Sequence, residues 1–269
     1  MSKVSVITAF NSDPFMALYF KKNYEEFWKD EVDELLVCVH GGNDEIDNFI
    51  ASLFPMSRKS SIPLPELGIA LDYIYPFVTG DILMTIDSDC YIYEKGLVTR
   101  YANSLIDCDA TGTIGYATRP LSEADGLFRH FGIVRLNTFL SFWNKKKLNF
   151  PFTFQRMKFK KGEKFYGYEF PNDCKLDTLG YLTLRFINEG CHIKTIKKFE
   201  NTNHIGGLSH ISRRFLGENG ISLYDIPSDK IGANPGTGLG FLKKIFYETY
   251  KDYPDQKLND KYKRIWEKI

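Results

Sequence analysis

The chain has 269 residues, 43% of them hydrophobic and 15% aromatic, which is enough for one large domain, or a domain with an appendage, around a sizeable core. Lys and Arg number 35 against 34 Asp and Glu, and a net charge of +1 gives no global field to draw nucleic acid or a membrane surface. The five cysteines, Cys38, Cys90, Cys108, Cys174 and Cys191, are scattered and form no C-x-x-C pair, which argues against a disulfide framework or a zinc knuckle and for a reducing compartment. Met1-Ser2-Lys3 leads straight into a strand-like run, so no signal peptide is expected, and no apolar run reaches the ~20 residues of a membrane span. The expected setting is cytoplasmic, the host cytoplasm for a viral protein.

Residues 3–10 read as a first strand. Asn11-Ser12-Asp13-Pro14 is a turn, with Asp13 placed to cap a helix and Pro14 at its first position. Phe15, Leu18, Tyr24, Phe27 and Trp28 follow at roughly helical spacing. Residues 33–40 form a second strand ending in His40-Gly41-Gly42-Asn43-Asp44, a loop where backbone can approach a ligand closely. Ile46, Phe49, Ile50, Leu53 and Phe54 then have the spacing of one helix face. Pro63 and Pro65 mark a loop, residues 66–79 a helix, and Gly80 a stop before the apolar run Ile82–Ile86. Strand and helix alternate over the first ninety residues, which predicts a mostly parallel sheet wrapped by helices. The carboxyl ends of the three strands, at Phe10-Asn11, His40 to Asp44 and Asp87-Ser88-Asp89, should share one sheet edge, where open α/β sheets bind ligands.

Asp87 and Asp89 are the sharpest chemical signal. Two carboxylates at i and i+2, after a buried strand, can offer hard oxygen ligands to Mg²⁺ or Mn²⁺. The same residues also make an ordinary acidic turn. No G-x-G-x-x-G follows the first strand and no Walker A sequence occurs, which disfavours a dinucleotide site and a P-loop.

Farther on, residues 96–106 read as a helix and 109–117 as a strand. Alternation then fails, although 131–140 could form a strand. Residues 145–164 are basic, with Phe150, Phe152, Phe154 and Phe159 interleaved. They suit either contact with an anionic acceptor through Lys158, Lys160 and Lys161 or a solvated hairpin with a buried Phe face. Asp177 precedes an apolar stretch and could cap a helix there. Residues 191–198 form a short strand, followed by Asn203-His204-Ile205-Gly206-Gly207-Leu208-Ser209-His210. Residues 221–237 look like a linker, and 238–252 and 255–269 like two amphipathic helices packed on the domain.

The order of strands, Gly68-Ile69-Ala70-Leu71-Asp72, Gly80-Asp81 and the Asp87-Ser88-Asp89 triplet together resemble the nucleotide-sugar half of GT-A glycosyltransferases, particularly the family 2 type. The resemblance is good over 3–117 and patchy to about 215. It departs at the second strand, where the family usually has Asp-Asp-Gly-Ser and this chain has His40-Gly41-Gly42-Asn43-Asp44. It implies a GT-A domain over 1–215, made of a nucleotide-sugar half (1–117) and an acceptor half (118–215), with a linker and helical tail over 216–269. It implies Mn²⁺ or Mg²⁺ held by Asp87, Asp89 and His204, and a nucleotide-sugar donor contacted from Thr8, Phe10, Asn11, Asp44, Asp72 and Ser88. Asp177, with Asp173 as its rival, would be the base of an inverting transfer. The acceptor would be a glycan, a lipid-linked saccharide or hydroxymethylated DNA. The alternatives are a nucleotidyltransferase, whose basic phosphate loop after the first strand is missing here, and a non-catalytic sugar-nucleotide or nucleic-acid binder.

Overall fold

The computed structural model describes residues 2–11, 13–40, 43–60, 64, 66–116, 118–120, 134–165, 168–170, 172–204 and 235–267. The first half comprises β1 (Val4–Phe10), α1 (Pro14–Asn23), β2 (Glu34–Val39), α2 (Asp44–Leu53), β3 (Ser57–Lys59), α3 (Leu67–Ile74), β4 (Ile82–Ile86), β5 (Cys90–Ile92), α4 (Leu97–Asn103) and β6 (Ala110–Tyr116). The second comprises β7 (Thr118–Pro120), β8 (Val134–Asn144), β9 (Met157–Phe159), β10 (Lys164–Phe165), β11 (Tyr168–Glu169), β12 (Cys174–Leu176), α5 (Gly180–Asn188), β13 (Ile193–Ile196), β14 (Thr202–His204), α6 (Pro235–Thr249) and α7 (Gln256–Trp266).

The main sheet has seven strands in the order β13-β6-β8-β4-β1-β2-β3. β4, β1, β2 and β3 are parallel neighbours, and β6 is parallel to β13. β8 lies between β4 and β6 and is antiparallel to both, so every other strand of the sheet points its carboxyl end to one edge. The fold is therefore α/β with a mostly parallel sheet, as the alternation of elements predicts.

Every residue of β1, β2 and β4 is buried, because both faces of the sheet are covered. Alternate residues supply the two faces. Val6, Val37 and Met84 pack with Phe20, Ile50 and Phe246 under α1, α2 and α6. Ile7, Leu36 and Leu83 pack with Leu71, Ile74 and Phe186 under α3 and α5. Asp13 caps α1, its carboxylate accepting from the N–H groups of Phe15 and Met16 at 3.0 Å each, with Pro14 in the first turn. The C-terminal helices complete the core over α1: the Phe15 ring meets Phe246, Tyr253 and Tyr262 edge to face at 5.1, 5.6 and 5.4 Å. Most of the expected linker, through residue 234, lies outside the described residues. No helix among the described residues is long and apolar enough to cross a membrane.

Ser57–Lys59 adds β3 beside β2 as a short parallel edge strand, an element that the sequence pattern did not indicate. Two expectations need correction. The helix expected over 66–79 ends at Ile74 and continues only as a 3₁₀ turn over Tyr75–Phe77, because Pro76 has no N–H with which to continue it. The basic segment forms no hairpin over 150–154. Its phenylalanines are nonetheless core: Phe150 and Phe154 join the α3 and α5 face, and Phe159 joins a small cluster with Phe170, Cys174 and Leu176. Lys145, Lys146 and Lys147 sit at the opposite sheet edge from Asp87, held by the Val78 carbonyl, Asp81 (3.2 Å) and Asp109 (3.4 Å).

Candidate functional site

The chain leaves β4 at Ile86 and turns at once. The Asp87 N–H donates to the Phe139 carbonyl of β8 (3.2 Å), and the Cys90 N–H returns to the Asp87 carbonyl (3.0 Å). This turn directs Asp87 and Asp89 toward one point. β5 then pairs antiparallel with β14, with Cys90 opposite His204, which brings a residue 115 positions further along the chain beside the two carboxylates. His204 Nε2 lies 3.4 Å from Asp89 Oδ1 and 3.8 Å from Asp87 Oδ2. One ligand atom from each of the three falls within 4.8 Å of the others.

β8 supports this cluster from the side. The Thr138 hydroxyl donates to Asp87 Oδ2 (3.0 Å). The Phe139 ring stacks on the His204 imidazole at 4.4 Å and 13°. The Asp89 side chain is only 6% exposed and that of Asp87 19%. Burial, and then the neighbouring Asp89 charge, push the Asp87 carboxyl up to about 6, against the opposing pull of His204, Thr138 and Arg135. For His204 burial acts to lower the pKa, but the hydrogen bond and charge of Asp89 and the charge of Asp87 outweigh it, so the net shift is upward. Two carboxylates confined together with an imidazole form a site whose electrostatic need is a cation. Oxygen and imidazole donors suit Mn²⁺ and are tolerated by Mg²⁺. These residues fit a resident divalent ion.

The donor candidates are placed unevenly. Thr8 is fully buried near the end of β1, and its hydroxyl has no partner. The Phe10 ring is core, between Phe20 (5.3 Å) and Phe54 (5.6 Å), so only its backbone faces the edge. Asn11 and Ser88 are half-buried at the carboxyl edge. Asp44 stands exposed in the first turn of α2, paired with Lys59 at 2.5 Å. Asp72 faces the 153–155 segment instead: its carboxylate accepts from the Thr153 hydroxyl, the Phe154 N–H (2.8 Å) and Gln155 Nε2 (2.8 Å).

Asp177 is 3% exposed and lies between two guanidinium groups. Oδ2 accepts from Arg135 Nη2 at 3.0 Å and Oδ1 from Arg156 Nε at 2.9 Å. It does not cap α5. The residue before that helix is Leu179, held at φ 67° with no side-chain cap, and the Asp177 carbonyl accepts from the Gly180 N–H (2.8 Å). Arg135 is on β8, three residues before the Thr138 that bonds Asp87. Asp173 is exposed and takes the Lys161 N–H (2.8 Å). Lys160 and Lys161 follow β9 at the far end of the three-stranded sheet β7-β12-β9 from Asp177, and Lys158 sits across from Lys175 within it. The structure thus gathers Asp87, Asp89 and His204, pairs Asp177 with an arginine of the strand that supports them, and leaves Asp173, Lys160 and Lys161 at a distance. The segment from Ile205 to His210 lies outside the described residues. Sequence reading missed Thr138, Phe139 and Arg135, for a β8 strand of mixed composition carries no motif.

No family model matches the sequence, and no curated protein matches it. Solved structures do show likeness. A mannosyltransferase from Pyrobaculum calidifontis, in complex with GDP-Man and Mn²⁺, is 15% identical with a TM-score of 0.40, over 55% of this chain and 46% of that one. Glucosyl-3-phosphoglycerate synthase from Mycobacterium tuberculosis is 19% identical with a TM-score of 0.39, over 55% and 58%. The same synthase with Mn²⁺, UDP-glucose and glycerol 3-phosphate gives 14% and 0.38. The match spans about half the length of these structures. At these identities the likeness is one of fold.

Proposed function

We propose that this protein is a metal-dependent glycosyltransferase that moves a sugar from a nucleotide-sugar donor to an acceptor hydroxyl. The observation that carries the reading is the convergence of Asp87, Asp89 and His204 at the carboxyl edge of a mostly parallel sheet, where such folds bind ligands. A bound Mn²⁺ or Mg²⁺ would supply Lewis acidity toward the departing diphosphate. Asp87 and Asp89 would hold it from the turn and His204 from β14. Thr138 and Phe139 orient two of these groups. The orphaned Thr8 hydroxyl, buried on the neighbouring strand, is a ready partner for a donor group.

The favoured acceptor is a glycan, a lipid-linked saccharide or a smaller hydroxyl compound, rather than hydroxymethylated DNA. The DNA version leaned on basic residues interleaved with stacking phenylalanines. Those phenylalanines are packed inward, and three of the lysines are at the opposite sheet edge. An inverting transfer would need a proton acceptor near the anomeric carbon. Asp177 is the candidate for that role in the described part of the site, and its two arginine bonds bear directly on the question.

The test is release of nucleoside diphosphate from a panel of UDP-, GDP- and TDP-sugars, with Mn²⁺ or with EDTA, alongside calorimetric titration of Mn²⁺. Metal-dependent release from one donor, lost in Asp89→Asn, is the expected result. Pyrophosphate as product would mean a nucleotidyltransferase. Donor binding without turnover, for any acceptor offered, would mean a binding protein.

A further inference from the structure

Asp177 has both carboxylate oxygens in charge-assisted hydrogen bonds, and a proton taken by either oxygen would break one of them. The two guanidinium groups differ in what they present. Arg135 is about nine-tenths buried, with Nη1 on the Leu136 carbonyl (3.1 Å) and near Asn137 Oδ1 (3.4 Å), and with Nε buried and without a partner. The Arg156 side chain is 31% exposed. Its Nε is taken by Asp177, while its Nη1 has only a long contact with Glu66, 3.9 Å away. Among the described residues, nothing else takes the outer edge of this guanidinium. Its base is fixed from two directions, since Arg156 directly follows the 153–155 segment that Asp72 holds to α3. Two arginines against Asp177 leave a local excess of one positive charge, which Glu66, 34% exposed, offsets only weakly. Arg135 stands three residues before Thr138 on β8, the strand whose Thr138 hydroxyl bonds Asp87 of the candidate metal site.

We infer that Asp177 is a positioning residue rather than the base, and that Arg156, held by it, is an oxyanion-binding residue of the same site. The ligand chemistry is a phosphate or carboxylate group. It can come from the donor diphosphate or from an acidic acceptor. A planar fork with one edge anchored and the other free is suited to bidentate capture of such a group, and a lysine could not reproduce it. The inference rests on the glycosyltransferase reading only for the reaction that the site would serve; the oxyanion site itself does not depend on it.

The probes are inorganic phosphate and free UDP, titrated calorimetrically into the Mn²⁺-equilibrated full chain and into Arg156→Ala, Arg156→Lys and Asp177→Asn. Arg156→Ala leaves the buried Arg135–Asp177 pair in place, so it is the variant least exposed to folding loss. Phosphate affinity should fall at least tenfold in Arg156→Ala and be only partly restored in Arg156→Lys. Loss of phosphate binding with UDP binding kept would assign the site to the acceptor; equal loss of both would assign it to the donor diphosphate. Using whichever donor is turned over, Asp177→Asn should raise KM more than it lowers kcat and should keep the acidic limb of the pH–rate profile. A kcat loss of 10²-fold or more with that limb abolished would make Asp177 the base and overturn the inference. Unchanged phosphate affinity in Arg156→Ala would overturn it equally. If no donor is turned over and no metal binds, the glycosyltransferase reading fails, while the phosphate titrations still decide the oxyanion site.

Discussion

The segment that carries Arg156 is held to α3 by one helix face, and this gives the most demanding test of the structural reasoning. Gly68 and Asp72 are one turn apart and face the same stretch of chain. A Cβ on Gly68 would lie 2.5 Å from the Phe154 carbonyl oxygen and 2.6 Å from Gln155 Cα, both backbone atoms, so the glycine is required for the close approach. Asp72 then fixes the segment with its three hydrogen bonds. Hydrogen bonds to a charged group are worth about 1.5–3 kcal/mol each when well buried, less where water can replace them. Asp72 is half-buried, and its loss strands the Phe154 N–H, so Asp72→Ala should cost about 2–4 kcal/mol. At about 2–4 °C per kcal/mol for a chain of this size, the melting temperature should fall by roughly 5–15 °C. Gly68→Ala should cost about 1–3 kcal/mol by overpacking, offset by up to about 1 kcal/mol of helix propensity. Each substitution displaces the same segment, so the double variant should lose less than the sum. Thermal and urea melts of the four proteins check this. A melting temperature for Asp72→Ala within about 2 °C of the parent, or strict additivity in the double variant, would refute the account.

Other consequences are simpler to check. His204→Ala should weaken Mn²⁺ binding at least about tenfold by calorimetry while leaving the far-UV circular dichroism unchanged. Asp87→Asn should stabilise the metal-free protein by on the order of 1–3 kcal/mol, because a carboxyl raised to about 6 opposes folding when charged. That gain should be full above about pH 7, shrink as pH falls through about 6, and vanish by about pH 3, where the side chain is protonated in both folded and unfolded states; thermal melts across this range would show it. Glu34 behaves in the opposite sense: burial acts to raise its pKa, but hydrogen bonds from Ser5, Thr79 and Gly80 outweigh it and the net shift is downward. Its stabilisation is present above the ordinary carboxylate range and lost as pH falls below it, so the deficit of Glu34→Gln should shrink under acid. Burial pushes the Cys38 thiol up to about 12 and Cys174 to about 11, so an Ellman-type reagent at pH 8 should spare both until guanidinium unfolds the chain.

The elements that build the sheet were legible because each satisfies a local rule. Asp13-Pro14 is a cap followed by a first-turn proline, and Ile82–Ile86 is an almost wholly apolar, β-favouring run that suits a doubly covered strand. Asp87, Asp89 and His204 were legible as residue types, and pairing of β5 with β14 brings them together. Asp72 and Asp177 show the limit. A carboxylate in sequence looks alike whether it meets a ligand or a backbone N–H, and Asp72 is committed to the 153–155 segment by contacts more than eighty positions away. The basic, Phe-rich segment misled for a similar reason. Its composition suits a nucleic-acid surface, but tertiary packing turned the rings inward and sent Lys145–Lys147 to the other edge.

The strand that sequence pattern described least is the one on which the site depends most. β8 is antiparallel in a parallel sheet, and its pairing with β6 is irregular: Gly112 pairs with Ser141, but Ile114, two residues on, pairs with Leu136. Residues 137–140 of β8 are therefore released from β6 while Leu140 stays paired with Ile86 of β4. Those released residues supply the Thr138 hydroxyl to Asp87, the Phe139 carbonyl to the Asp87 N–H, and the Phe139 ring to His204. Just before the irregularity, Arg135 resumes pairing opposite Gly115 and reaches Asp177. A regular strand would alternate its side chains between the two faces and could not direct Thr138 and Phe139 together at one turn. The irregular stretch thus lets a single strand support a carboxylate, an imidazole and an arginine–carboxylate pair within five consecutive residues. The candidate metal cluster and the Arg135–Asp177 pair thus share one supporting strand, from which Thr138, Phe139 and Arg135 reach them.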